Sequence, residues 1–204
     1  NGSDDQTLPH GLNAKPDFVI IKNRDNADGS WVTKHSSLSS GKVLFLDSTS
    51  AEGDSSYGEI KDLDSNVTVT LDDTGNNAAN VNKNTEKYIM YAWTAIPGYS
   101  AFGLYEATAS AGSPFVYTGF APKWLLIKNA STAKSWAILD SDRGYGKALL
   151  ADTNGSEGTD YYADLTSNGF TIQVGSGTVL NNDSGNDYIY AAFAEHPLKT
   201  ARAR

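Results

Sequence analysis

The chain has no cysteine among its 204 residues, so disulfides, thiolate metal centres and cysteine nucleophiles are excluded in any compartment. Histidine is nearly as scarce. His10, His35 and His196 stand in no HExxH pattern, and the chain has no Gly-x-Ser-x-Gly elbow, so no catalytic residue is assigned from motif. Long apolar runs are missing too: none approaches the roughly 20 residues that a membrane-spanning helix needs, and no membrane insertion is expected. Positive charge is in deficit. With 16 Lys and Arg against 24 Asp and Glu, the formal charge of −8 repels a polyanion, and no nucleic-acid partner is expected.

What the chain does have is 19 glycines and many Asn, Asp, Ser and Thr between short aromatic and β-branched runs. That is the composition of a turn-rich sheet protein. Strands are expected at Asp17–Lys22, Trp31–His35, Lys42–Asp47, Val67–Leu71, Tyr88–Thr94, Ala101–Glu106, Phe115–Thr118, Trp124–Lys128, Trp136–Asp140, Lys147–Ala151, Phe170–Val174 and Tyr188–Ala194. Val67, Val69 and Leu71 alternate with Thr68 and Thr70, as in an antiparallel sheet with one wet face. The expected class is all-β, a sandwich.

The sequence also repeats itself. Pro16, Phe18 and Lys22-Asn23 return as Pro122, Trp124 and Lys128-Asn129, at an offset of 106. Ser30-Trp31, Lys42 to Asp47 and Glu52-Gly53 return at an offset of 105, and Tyr88 to Pro97 returns as Tyr188 to Pro197 at an offset of 100. The order of elements is kept, and the drift falls in the turn-rich stretches between them. The division expected from this is an N-terminal arm at 1–11 and one pseudo-symmetric β-sandwich at 12–204. Within it, repeat one spans about 12–98, bridging strands 99–118, repeat two about 119–198, and a basic tail 199–204. The bridge carries Phe102, Leu104, Tyr105, Phe115, Val116 and Tyr117, too aromatic for a linker.

Several runs have familiar wording. Pro97-Gly98-Tyr99-Ser100-Ala101-Phe102-Gly103, Ser113 through Lys128, Ser167-Asn168-Gly169-Phe170 and Tyr188 through Pro197 resemble a domain of unknown function found in structural proteins of tailed phages, many of them marine. In such proteins the domain typically lies toward the C-terminal end of long tail-fibre-like chains. The resemblance covers about Leu12 to Arg204, with Ser113 where the family pattern usually has Gly. It implies a virion location, with synthesis in the host bacterium's cytoplasm, and a jelly-roll or concanavalin-like sandwich built from the two internal repeats. It carries over no catalytic residue and no ligand.

Aromatic residues with a repeat mate of like size, namely Phe18 with Trp124, Trp31 with Trp136 and Trp93 with Phe193, are expected in the core. Tyr57, Tyr99, Tyr105, Tyr145, Tyr161 and Tyr162 instead lie among Gly, Ser, Asp or Asn, where a ring can stack on a sugar face while neighbours bind hydroxyls. These six are the candidate glycan-contacting residues. No cofactor is expected. Oxygen-rich loops at 25–29, 72–77 and 181–187 suit hairpin turns first and Ca²⁺ second, and none has full EF-hand spacing. Glu52 and Glu157, a conceivable glycosidase pair, are repeat mates before a glycine and read more simply as one structural position copied.

The resulting expectation is a non-enzymatic virion protein, a tail-fibre or appendage module contacting the host surface through a glycan. Other virion proteins are its expected partners, and a homotrimer is the common state of fibre proteins. The alternatives are a capsid-decoration or fibre element binding only virion proteins, and a glycan-degrading enzyme.

Overall fold

The computed structural model describes residues 6–27, 29–54, 60–63, 68–71, 81–108, 113–173, 180 and 185–195. These residues form antiparallel β-sheets and no helix, so that among the described residues no helix is long and apolar enough to cross a membrane. Backbone contacts divide the chain into two compact units, Asn1–Thr94 and Ala95–Arg204.

In the first unit the central strand is β2 (Phe18–Asn23), whose run of aromatic Phe18 and β-branched Val19, Ile20 and Ile21 is buried on both faces. It pairs on one side with β3 (Val32–His35), which continues to β4 (Lys42–Phe45) and β5 (Gly53–Asp54). On its other side lies β8 (Tyr88–Trp93), so the sheet order is β5-β4-β3-β2-β8. A smaller sheet joins β1 (Gln6–Pro9), β7 (Thr68–Leu71) and β6 (Ile60–Asp62) in the order β1-β7-β6. Val19, Ile21, Val32 and Val43 of the larger sheet share one apolar core with Ile60 and Leu71 of the smaller, which makes the unit sandwich-like.

The second unit opens with β9 (Ser100–Glu106) and β10 (Phe115–Tyr117). Its larger sheet is β14-β13-β12-β11-β17-β9, built from β11 (Pro122–Asn129), β12 (Ala137–Asp140), β13 (Gly146–Leu150), β14 (Gly158–Tyr161) and β17 (Asp187–Ala194). The smaller sheet is β10-β16-β15, with β15 (Ala163–Thr166) and β16 (Gly169–Ile172). Leu125, Ile127 and Tyr188 meet Val116, Phe170 and Ile172 in one core.

Each of the twelve expected strand positions is occupied by a strand, with ends shifted by a few residues at most. Among the described residues five further strands have no position among those twelve: β1, β5, β6, β14 and β15, the last four of them in the turn-rich stretches of the two repeats. β1 lies inside the segment read as an arm, where it pairs with β7. The bridging strands β9 and β10 pair with β17 and β16, both in the second unit. The repeated Lys-Asn pair supplies the last two residues of β2 and of β11. Asn23 Oδ1 accepts from the N–H groups of Asp25 (2.9 Å) and Asn26 (3.0 Å), and Asn129 Oδ1 from those of Ser131 (2.9 Å) and Thr132 (2.8 Å). Both asparagines close their strand with an Asx turn.

The aromatic mates expected in the core divide. Phe18 and Trp136 are buried, whereas Trp31, Trp93, Trp124 and Phe193 are half-buried. Tyr57, the oxygen-rich loops at 72–77 and 181–184, and the basic tail lie outside the described residues.

Candidate functional site

Three of the six candidate tyrosines come together at one end of the second unit's larger sheet. The local cause is the run Asp140-Ser-Asp-Arg-Gly-Tyr-Gly146 between β12 and β13. Asp140 Oδ1 accepts from the N–H groups of Asp142 (3.1 Å) and Arg143 (2.9 Å), and Asp140 Oδ2 receives Arg143 Nε at 2.6 Å. The chain then passes through Gly144 (φ 84°) and Gly146 (φ 79°), left-handed conformations that glycine adopts without strain. Tyr145, held between them, is 61% exposed.

Tyr162 stacks on Tyr145, with ring centroids 5.2 Å apart and planes 29° apart. It lies over the bare face of Gly146, where a Cβ would come within 3.0 Å of its ring. Its hydroxyl donates to Asp160 Oδ1 at 2.7 Å, and that hydrogen bond raises its pKa above the usual phenol value. Tyr161 is half-buried against the core, its ring packed so close to Gly158 that a Cβ there would approach to 2.6 Å. Burial raises its pKa, helped by Asp152 and Asp160.

Between these rings lies a cavity of about 250 Å³, lined by Tyr145 and Tyr161 with Asp140, Ser141, Lys147 and Asp164, over Leu139 and Leu165. Asp164 accepts a hydrogen bond from Gln173 Nε2. Adjoining it is an open, charged surface made by Lys123, Trp124, Asp142, Arg143 and Glu157, with Asp140 and Lys147 shared. There Lys123 pairs with Asp142 (2.6 Å), Arg143 with Asp140 (2.6 Å) and Glu157 (3.2 Å), and Lys147 with Glu157 (3.1 Å). Three cations thus face three carboxylates. Hydrogen bonding from Lys147, with Arg143 beside it, holds Glu157 below the usual carboxylate range. Burial works to raise the pKa of Asp140, but hydrogen bonds from Arg143 and Asp142 more than offset it.

This arrangement offers a flat aromatic face at a fixed tilt, hydroxyl and carboxylate partners around it, and no net charge from the ion-pair network. It suits a neutral, hydroxyl-rich ring, and it is smaller than the ~300–1,000 Å³ of pockets for drug-sized ligands.

The other candidates lie elsewhere. Tyr99 is 43% exposed, on the turn formed by Pro97 and Gly98, and its ring meets Phe193 edge-on at 6.1 Å. Tyr105 is a core residue: it is 8% exposed, stacks on Tyr188 at 5.1 Å and 8°, and burial raises its pKa well above the usual value. No surface ring exists there for a sugar to stack on. The remaining wall of the cleft, Asp140, Arg143, Lys147 and Asp164, was not anticipated. Its signal is a difference between the repeats, since at the same offset that aligns Lys42 with Lys147, Ser40 stands where Tyr145 does. Glu52 and Glu157 sit in different units, and Glu52 accepts from the N–H (3.1 Å) and hydroxyl (2.7 Å) of Ser39. Among the described residues, no three His, Asp or Glu side chains gather as metal ligands.

Neither a curated protein nor a solved structure matches this chain. A family does: over residues 1–197 the sequence fits a domain of unknown function, DUF7483, and the chain belongs to that family.

Proposed function

We propose that this chain is a non-enzymatic virion module of a tailed phage, part of a tail fibre or similar appendage, and that it holds a neutral host-surface glycan against Tyr145. The observation that carries the binding role is the stacked Tyr145–Tyr162 pair beside a cavity whose Asp140 and Lys147 are held in ion pairs and whose Asp164 is held by the Gln173 amide. An exposed ring normally loses entropy on binding, and stacking on Tyr162 restricts this one in advance. The virion context rests on the wording of the sequence motifs. A cleaving activity has less support, because Glu157, held deprotonated by Lys147 and Arg143, is a poor proton donor at neutral pH.

The scaffold behind the site is read as a jelly-roll-like sandwich unit present twice. Sheet orders β5-β4-β3-β2-β8 and β1-β7-β6 in one unit run parallel to β14-β13-β12-β11-β17 and β10-β16-β15 in the other. Local contacts run parallel as well. Trp31 N–H donates to Asp47 Oδ1 as Trp136 N–H does to Asp152 Oδ1, and Lys22 Nζ reaches the Asn23 carbonyl as Lys128 Nζ reaches that of Asn129.

Calorimetric titration with neutral oligosaccharides prepared from the host surface tests the binding role. Tyr145→Ala is expected to weaken binding about tenfold, or about 1.4 kcal/mol, while leaving the melting temperature unchanged. Equal affinity in the variant would remove Tyr145 from the site.

A further inference from the structure

The two units differ at one edge. In the second, β17 is flanked by β9 over seven residue pairs, from Asp187 opposite Glu106 to Phe193 opposite Ser100. In the first, β8 ends its sheet, and among the described residues no strand pairs with its second edge. The Arg24 N–H bonds the Lys87 carbonyl, and Arg24 and Lys87 extend the β2/β8 register. Alternation along an antiparallel ladder then turns the backbone groups of Met90 and Ala92 toward the open edge. The same alternation, from the Ala107 N–H bond to the Asn186 carbonyl, turns those of Tyr190 and Ala192 toward β9.

Side chains tell the same story. Tyr188, Tyr190 and Ala192 are 0%, 7% and 0% exposed, whereas Tyr88, Met90 and Ala92 are only half-buried against their core. β9 makes part of that difference, because it delivers Tyr105 into the core, stacked on Tyr188 and edge-on to Phe170 at 6.1 Å. It also lays Gly103 under the ring of Tyr190, so close that a Cβ would come within 2.8 Å of the hydroxyl. In the first unit a cavity of about 270 Å³ opens beside Tyr88 and Met90 instead. Its floor is Leu8, Ile21, Leu71 and Val81, with Gln6 and Glu86 at its rim.

We infer that the open edge of β8 and this cavity together form a strand-acceptor site for a segment of another polypeptide. The occupant is an extended strand of β9's kind, apolar at alternate positions. It pairs antiparallel with β8 and inserts an aromatic side chain beside Tyr88, where Tyr105 sits beside Tyr188. Main-chain hydrogen bonds along β8 supply affinity, and the cavity selects the aromatic anchor. The site would link this chain to a neighbouring subunit without any disulfide. The inference rests on the correspondence of the two units and is independent of glycan binding.

The test uses the whole chain, ¹⁵N-labelled, with a synthetic peptide of residues 98–108 as probe. Expected are saturable shifts at the amides of Met90 and Ala92, slowed hydrogen exchange there, and at least tenfold weaker binding by peptides carrying Tyr105→Ala or Gly103→Pro, the second of which removes a main-chain donor that faces the acceptor strand. Absence of shifts at millimolar peptide, shifts confined to the second unit, or equal binding by the altered peptides would overturn the site. A companion measurement, the melting temperature of the chain bearing Tyr105→Ala, separates the two ideas. If that substitution destabilises and the peptide fails to bind, the acceptor site alone falls; if it is neutral, the correspondence between the units falls with it.

Discussion

Lys128 carries the clearest consequence of burial at the scale of single residues. It is fully buried on β11, with Nζ donating to the Asn129 carbonyl at 2.7 Å, and burial outweighs nearby Asp152 to lower its pKa to about 8. In the unfolded chain the same amine titrates near ~10.4. Below pH 8 the folded state therefore holds a costly buried charge, and between about pH 8 and 10 it sheds that proton before the unfolded chain does, so the cost fades as pH rises. Lys128→Met is expected to gain stability relative to the native chain below pH 8. The gain should shrink by about 3 kcal/mol by pH 10.5, read from urea unfolding at the two pH values. A gain independent of pH would contradict this. In sequence Lys128-Asn129 looks like the polar end of a strand, because nothing local says that the sheet is covered on both faces there. Tyr105 and Tyr145 show the same limit. Both stand among small and polar residues, yet one is a core ring and the other 61% exposed, and only the partner strand tells them apart.

Elements were readable where their side chains alternate or are β-branched, and unreadable where pairing alone makes the strand. β2, β8, β11 and β17 carry Val, Ile and aromatic residues and stand where their sequences place them. β5 has two residues, and β14 and β15, Gly-Thr-Asp-Tyr and Ala-Asp-Leu-Thr, have little apolar pattern, so their existence depends on neighbours already in place. β16 depends on a glycine. A Cβ on Gly169 would stand 2.1 Å from the Val116 carbonyl oxygen on β10, and that atom is backbone that cannot swing aside. Gly169→Ala is expected to cost about 3 kcal/mol by overpacking. Chemical denaturation checks it, and a cost below about 0.5 kcal/mol would mean that β10 does not lie where described. The turn at Tyr145 was half legible. Its glycines and aspartates announced a turn, but the ion pairs of Arg143 and Lys147 with Glu157 come from residues up to 14 positions away.

The class of the whole molecule was legible because many Gly, Asn, Asp and Ser between short apolar runs leave little room for anything but antiparallel sheets. Its division was harder to read. The aromatic bridge looked like strands shared between halves, whereas Phe102 and Tyr105 lie on β9, which pairs with β17 of the second unit. Aromatic content says that a segment is packed and not against what. At this scale the proposed function has a plain electrostatic consequence. A neutral ligand in a cleft whose ion pairs are internal should bind almost equally at low and high salt, although the chain carries a net charge of −8. Affinity changing less than about twofold up to 0.5 M NaCl is the expected result of titration; a steep loss would point to an anionic ligand attracted by Lys147 and its neighbours.

The most direct measurement is binding of the labelled protein to intact candidate host cells, beside a non-host strain, with soluble host polysaccharide as competitor and Tyr145→Ala as the second protein. Saturable, host-restricted binding that the polysaccharide abolishes and Tyr145→Ala lacks is the predicted result. No binding by the folded protein at micromolar concentration, or binding that Tyr145→Ala retains in full, would contradict it.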